Sequence, residues 1–150
     1  MTETPTVGAS PRIRVLIADD HVTVREGLAA IIGRQTDMVV VAEAASGTDA
    51  IALWRDHRPD VTLMDLRMPD MDGVGAMIGI CAVDASARII VLTTFDSDRD
   101  VSRAVSAGAK GYLLKDAGRE DLLECIRSVH AGHTCLPPTV SPPSPADIRP

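Results

Sequence analysis

Aromatic side chains are almost missing from this sequence, at 2% of its 150 residues, although apolar residues make up 45%. The interior must therefore be built from Val, Leu, Ile, Ala and Met, which is the usual composition of the layers in an α/β structure. A chain of this length can bury a sizeable core, and it predicts one compact domain.

Long basic runs and long apolar runs are missing as well. The formal net charge is −6 and no segment is rich in Lys or Arg, so repulsion by phosphates argues against direct nucleic acid binding by this chain. No apolar run is as long as a membrane span, and the first ten residues contain no apolar signal core. These features predict a cytoplasmic protein that does not bind membranes.

Cysteine is too scarce to build a disulfide framework. Cys81, Cys125 and Cys135 are odd in number and lie far from any C-x-x-C spacing. We therefore expect thiols in a reducing compartment, and neither a disulfide framework nor a zinc site.

A strand followed by a helix recurs five times along the chain. The predicted strands cover residues 12–18, 38–42, 60–65, 88–92 and 111–114. Helices are expected from about residue 21 to 33, 46 to 58, 73 to 83, 97 to 107 and 119 to 130. This alternation predicts an α/β fold with a doubly wound, five-stranded parallel sheet, right-handed crossovers and helices on both faces.

The domain boundaries follow from composition. Residues 1–11 predict a disordered leader, residues 12–132 the domain, and residues 133–150, where proline is dense, an extended linker or a truncated end. The third helix is the least regular in sequence, because each of its glycines costs roughly 1 kcal/mol relative to alanine. Burial of its apolar residues would have to stabilise it, namely Val74, Met77, Ile78 and Ile80.

Polar residues follow several predicted strands at the point where each strand ends. Asp19 and Asp20 end the first strand, Asp65 the third, Thr93 the fourth and Lys115 the fifth. In a doubly wound sheet these positions share one edge, where such folds place their ligands. Each residue alone has an ordinary explanation, and Asp65 could simply cap the following helix. Their coincidence at one edge favours a functional site.

The chemistry of this set suits phosphoryl transfer. Clustered carboxylates repel one another unless a cation lies among them, and hard oxygen ligands suit Mg²⁺. A carboxylate beside Mg²⁺ can attack phosphorus as a nucleophile, while Lys115 and Thr93 would stabilise the phosphoryl oxygens. The set lacks a general base for turnover of outside substrates. We therefore expect phosphorylation of the protein itself, and not a multiple-turnover enzyme.

Four sequence blocks resemble the receiver domain of bacterial two-component response regulators. They are V-L-I-A-D-D at 15–20, L-M-D-L-R-M-P-D-M-D-G at 63–73, V-L-T-T-F-D at 91–96 and G-Y-L-L-K-D at 111–116. The resemblance covers roughly residues 12 to 132. The D-H-x-x-V-R-E-G-L block at 20–28 and the last block are similar to the NarL/FixJ (LuxR-type) subfamily. A flavodoxin-like or CheY-like (βα)5 fold with strand order 2-1-3-4-5 is implied.

The resemblance also implies individual roles. Asp65 would accept a phosphoryl group from a sensor histidine kinase or a small donor such as acetyl phosphate. Its metal ligands would be Asp20, Asp65 and the Arg67 backbone carbonyl, with Asp19 acting mainly through water. Thr93 would be the switch hydroxyl, Tyr112 the aromatic residue that follows it, and Lys115 the cation paired to the phosphate. Pro69 would shape the adjacent loop, and Arg67 and Phe95 would tune dephosphorylation.

What the site controls is left open by the sequence. Members of this subfamily usually continue into a helix-turn-helix DNA-binding domain, which this chain does not contain, so it is either truncated or a stand-alone receiver. The output face would be the last two helices and the fifth strand, which could form a homodimer.

Two alternatives come from other functional classes. A phosphohydrolase of the haloacid dehalogenase kind also uses Asp, Mg²⁺, Thr and Lys, but it carries a second Asp where this sequence has Arg67. A flavodoxin-like FMN-binding module would need a Ser/Thr-rich phosphate loop and flanking aromatic residues, which this sequence lacks.

Overall fold

Five parallel strands form a single sheet in the order β2-β1-β3-β4-β5, and the predicted fold class and strand order are confirmed. The structure is a computed structural model that describes residues 12–94 and 97–136. The predicted leader at 1–11, Phe95 and most of the predicted linker lie outside the described residues. The elements in chain order are β1 Ile13–Ala18, α1 Val22–Gly33, β2 Met38–Ala44, α2 Gly47–His57, β3 Val61–Asp65, α3 Gly73–Val83, β4 Ile89–Thr93, α4 Asp98–Ser106, β5 Gly111–Leu114 and α5 Arg119–His130.

Alternate side chains of the strands feed two separate cores. Leu16 and Met64 pack on one face of the sheet with apolar residues of α2, α3 and α4. Val15 and Leu63 pack on the other face with α1 and α5. Every residue of β3 and β4 is buried, as expected for central strands of a parallel sheet covered on both faces. None of the described helices is long and apolar enough to cross a membrane.

Two serine side chains cap the N-termini of helices. The Ser46 hydroxyl accepts the Asp49 amide at 3.1 Å, and the Ser97 hydroxyl accepts the Asp100 amide at 3.0 Å. The Asp100 carboxylate pairs with Arg67, so the side chain contacts a residue of the loop after β3 and not its own helix. Each cap satisfies an amide that the first helical turn leaves without a partner.

The glycine-rich third helix is regular. A Cβ on Gly79 would lie 2.6 Å from Ile51 Cδ1, and a Cβ on Gly73 would collide with the Asp65 carbonyl oxygen. These glycines therefore let α3 approach α2 and the end of β3 closely. One predicted core residue is wrong, because Ile78 is 57% exposed. The helix has no charge between residues 74 and 83, so its sequence does not show which side faces water.

The packed domain extends past the predicted boundary at residue 132. Cys135 donates its amide to the Lys110 carbonyl at 2.8 Å and accepts the Tyr112 amide at 2.9 Å. Cys135 thus pairs with the edge of β5 and Leu136 packs against the core, in contrast to the predicted linker start at residue 133. The three cysteines are free thiols.

Candidate functional site

The structure brings the predicted site residues to the carboxyl edge of the sheet. Asp19 and Asp20 follow β1, Asp65 and Thr93 end β3 and β4, and Lys115 follows β5. From β1 the chain moves outward to β2, and from β3 it moves outward to β4 on the other side, so the connections after β1 and β3 leave in opposite directions. That reversal opens the crevice in which doubly wound sheets bind ligands.

Lys115 bridges the two most deeply buried carboxylates. Asp19 and Asp65 are 2% and 3% exposed, and the Lys115 ammonium lies 2.7 Å from Asp19 Oδ2 and 3.4 Å from Asp65 Oδ2. The Lys115 amide also donates to the Thr93 carbonyl at 2.6 Å. This backbone bond fixes the start of the β5–α5 loop beside β4, so the lysine reaches the aspartates from a defined position.

Burial and repulsion by Asp19 destabilise the charged form of Asp65. Desolvation and the charge of Asp19 raise the pKa of Asp65 above its ordinary value, although Lys115 opposes the shift. Desolvation alone would lower the pKa of Lys115, but its hydrogen bond to Asp19 and the charges of both aspartates outweigh burial and raise that pKa. The lysine is therefore a permanent cation in this site, and it does not fully compensate the carboxylates.

Four residues of this edge each bring one ligand atom into a small cluster. Ligand atoms of Asp19, Asp20, His21 and Asp65 all lie within 4.8 Å of one another. Asp20 Oδ1 is buried and makes no hydrogen bond to the described residues. A buried, unsatisfied carboxylate oxygen within a carboxylate cluster fits a divalent cation. His21 was not predicted as a site residue, although it directly follows the Asp19-Asp20 pair in the sequence.

Arg67 links this site to α4. Its backbone amide donates to Asp65 Oδ1 at 3.3 Å, and its guanidinium contacts Asp100 Oδ2 at 3.0 Å. A second ion pair, between Arg103 and Asp72 at 3.4 Å, joins α4 to the start of α3. A cleft of about 380 Å³ opens beside Asp20 and is lined by the β3–α3 loop and α4. The sequence analysis did not identify Asp72, Asp100 or Arg103 as neighbours of the site.

The two predicted switch residues lie in the sheet close to this edge. Thr93 and Tyr112 are 2% and 3% exposed. Thr93 directly follows Leu92, the residue that is in register with Asp65, so it lies one position beyond the end of β3. Tyr112 is in register with Val91 and packs in the core on the α2–α4 face. Pro69 is exposed in the loop after β3.

The carboxyl edge of this five-stranded parallel sheet carries a buried aspartate, an acidic pair and a lysine. This arrangement is typical of phosphoacceptor signalling domains. The sequence comparison agrees with this class. The chain belongs to the response regulator receiver domain family, whose model matches residues 15–127.

Individual relatives support the LuxR-type resemblance. The chain is 46% identical to the uncharacterized transcriptional regulatory protein YxjL of Bacillus subtilis (strain 168), over 81% of this chain and 56% of that protein. It therefore spans little more than half the length of that relative. A LuxR-family response regulator from Aurantimonas sp. SI85-9A1 matches with a TM-score of 0.81 and 35% identity, over 85% of this chain and 91% of that chain.

The fold also matches a structure solved with bound ions. The CheX–CheY–BeF3–Mg²⁺ complex from Borrelia burgdorferi matches with a TM-score of 0.76 and 27% identity, over 82% of this chain and 92% of that chain.

Proposed function

We propose that this receiver domain accepts a phosphoryl group on Asp65 from the phosphohistidine of a sensor histidine kinase, or from a small donor such as acetyl phosphate. The observation that carries this proposal is the environment of Asp65. It is 3% exposed, it faces the Lys115 ammonium at 3.4 Å, and it adjoins the carboxylate cluster of Asp19 and Asp20.

The side chains of this edge have separate roles in the proposed transfer. An oxygen of the Asp65 carboxylate attacks phosphorus and forms a P–O bond, while the P–N bond to the donor imidazole breaks and the nitrogen keeps its electron pair. Lys115 and the Thr93 hydroxyl then stabilise the three phosphoryl oxygens of the acyl phosphate. Asp65 is already fixed by the Arg67 amide, so little side-chain ordering is required during the transfer.

We assign the cation site to Mg²⁺ held by Asp20, Asp65 and the Arg67 carbonyl, with Asp19 contributing mainly through water. When bound, the cation offsets the negative charge of the carboxylates and of the incoming phosphoryl group. The similar CheX–CheY complex contains BeF3 and Mg²⁺, which supports this assignment. The unsatisfied Asp20 oxygen supports it independently.

The readout we propose is a change of the face formed by α4, β5 and α5. Thr93 and Tyr112 would transmit the new charge to that face, which could form a homodimer. In a full-length protein related to the LuxR-type regulators, this change would control a C-terminal helix-turn-helix domain and thereby transcription. A stand-alone receiver acting on a partner protein is the alternative.

We also propose that the domain is a phosphoacceptor with slow loss of phosphate, and not a multiple-turnover phosphohydrolase. Hydrolases of the haloacid dehalogenase kind use a second aspartate two positions after the nucleophile. Here that position is Arg67, whose side chain is 64% exposed and paired with Asp100. An arginine in this place supplies no general acid for a leaving group.

The test compares Asp65, at the end of β3, with Asp60, which directly precedes the same strand. Acetyl phosphate and Mg²⁺ are expected to add one phosphoryl group to the wild-type chain and to Asp60→Asn, but none to Asp65→Asn, as measured by intact-protein mass. Removing one of two repelling buried carboxylates should also raise the free energy of unfolding of Asp65→Asn by about 1 kcal/mol in metal-free buffer. A folded Asp65→Asn variant that still gains the phosphoryl group would overturn the proposal.

A further inference from the structure

The two oxygens of each buried aspartate point to different partners. Lys115 contacts the Oδ2 atoms of Asp19 and Asp65. The Oδ1 atoms make other contacts, since Asp65 Oδ1 accepts the Arg67 amide at 3.3 Å and Asp19 Oδ1 accepts the His21 amide at 2.8 Å. The His21 imidazole therefore contacts the Asp19 oxygen that Lys115 does not contact.

The imidazole of His21 lies against both members of the acidic pair. Its Nδ1 atom is 3.1 Å from Asp19 Oδ1 and 3.2 Å from Asp20 Oδ1. A single Nδ1 proton serves one good acceptor at a time, and Asp20 Oδ1 makes no hydrogen bond here despite its proximity. A hydrogen bond from His21 Nδ1 thus explains the contact with Asp19 Oδ1 but leaves Asp20 Oδ1 unsatisfied.

His21 is also placed so that a metal can reach it. Its side chain is 65% exposed, whereas its backbone, the N-cap of α1, is held by the hydrogen bond that its amide donates to Asp19 Oδ1. The ring makes no cap hydrogen bond to the helix. The imidazole therefore has an open solvent side and an anchored main chain, and α1 does not depend on it for capping.

We propose that His21 is a metal ligand through Nδ1, which makes the site a mixed nitrogen and oxygen set that favours Mn²⁺ and later first-row divalent ions over Mg²⁺. Imidazole suits Fe²⁺, Ni²⁺, Cu²⁺ and Zn²⁺. Mn²⁺ prefers oxygen ligands but accepts imidazole more readily than Mg²⁺, which keeps oxygen ligands and waters. Coordination requires the tautomer with its proton on Nε2, which leaves the Nδ1 lone pair for the metal. The inference rests on the metal site of the proposed function, but not on phosphorylation itself.

The experiment measures the ligand atom directly. Mn²⁺ is bound to the wild-type chain, to His21→Ala and to His133→Ala, and the electron spin echo envelope modulation is recorded at about pH 8. His133 is an exposed histidine in the segment after α5 and serves as the control. Imidazole nitrogen modulation is expected in the wild type and in His133→Ala, and it should disappear in His21→Ala.

Calorimetric titrations with each metal give a second readout. Loss of His21 is expected to weaken Mn²⁺ binding roughly tenfold, while Mg²⁺ binding changes by less than about twofold. Because the His21 ring does not cap α1, the alanine variant should remain folded, which circular dichroism checks.

Two outcomes would overturn the inference. One is Mn²⁺ bound to the wild type without imidazole modulation, and the other is equal loss of Mg²⁺ and Mn²⁺ affinity in His21→Ala. Phosphorylation of His21→Ala by acetyl phosphate with Mg²⁺ separates these failures from failure of the proposed function. If that variant still gains a phosphoryl group while the nitrogen signal is missing from the wild type, the metal ligand is wrong and the phosphoacceptor stands.

Discussion

The two edges of the sheet use charged side chains in different ways. At the amino edge, Asp37 and Arg127 form a paired contact, with Nε–Oδ2 and Nη2–Oδ1 distances of 2.8 and 3.1 Å. Asp60 Oδ2 accepts the Arg14 amide at 2.9 Å. Asp37 and Arg127 are 44% and 41% exposed, so water screens this pair and it stabilises the fold only modestly.

At the carboxyl edge the charges are buried and unequal in number. Asp19 and Asp65 are almost fully buried and share the Lys115 ammonium, and Asp20 adds a third carboxylate. Burying like charges is costly for folding. The same imbalance suits the cation and the phosphoryl group that we propose for this edge. The comparison shows that uncompensated buried charge marks the functional edge, whereas locally paired charge marks the structural one.

Replacing the positively charged side chain at each edge should give the largest difference in the free energy of unfolding. In metal-free buffer, Lys115→Met should lower the free energy of unfolding by about 3 kcal/mol, because it leaves buried carboxylates without their cation. Arg127→Met at the other edge should cost less than about 1 kcal/mol, because its pair is exposed. Urea denaturation measures both variants, and added Mg²⁺ should recover part of the stability lost in Lys115→Met only. Equal losses in the two variants would break the comparison.

The main chain is packed more tightly at the carboxyl edge than at the amino edge. Gly73 supports the functional edge, because a Cβ there would collide with the Asp65 carbonyl oxygen and lie 2.8 Å from Leu66 Cα. Gly73→Ala must therefore move the end of β3 and should cost about 2 kcal/mol. Gly33, at the end of α1 near the amino edge, has no atom within 4 Å of its built Cβ, so Gly33→Ala should gain about 0.5 kcal/mol.

Thermal or urea unfolding of both glycine variants checks this difference, and phosphorylation of Gly73→Ala sharpens it. Since the clash involves the main chain of Asp65 itself, that variant should lose phosphoryl acceptance along with stability. Normal acceptance with normal stability would show that the end of β3 tolerates displacement and does not need close packing by α3.

Much of this fold is local in sequence and could therefore be predicted. The serine caps at Ser46 and Ser97 and the reversal at Gly108, where φ is +109°, depend on residues within one helical turn. The shared edge of Asp65 and Lys115 follows from topology alone, because carboxyl ends of parallel strands meet there. These features needed no knowledge of side-chain packing.

Other features depend on contacts that the sequence does not encode locally. Arg67 and Asp100 are 33 positions apart, and Cys135 adds to the sheet beyond the last predicted element. The exposed side of α3 could not be identified either, because an uncharged helix gives no contrast between its faces. That is why Ile78 was placed in the core. For His21, the signal was its position next to Asp19 and Asp20, but the residue was assigned only to the start of a helix and to the block at 20–28.

The smallest expected effect concerns pH, and it has opposite signs at the two edges. The hydrogen bond from Arg127 is the main cause that holds the pKa of Asp37 below its ordinary value, and the Arg127 charge adds to it. A lowered pKa in the folded state stabilises the fold above the ordinary carboxyl pKa, and this contribution is lost as the pH falls through the folded value. Asp37→Asn should therefore cost less than about 1 kcal/mol at neutral pH.

Acidification should reduce the stability that Asp37→Asn loses. For Asp65→Asn, acidification should instead reduce the stability that the variant gains. The pKa of Asp65 is raised by burial and by Asp19, so its carboxylate destabilises the fold at neutral pH and ceases to do so as the pH falls through the raised value. Urea denaturation of both variants and the wild type between about pH 7 and pH 4 measures the two trends. A cost for Asp37→Asn that grows on acidification would reverse the assignment of the amino edge as the locally compensated one.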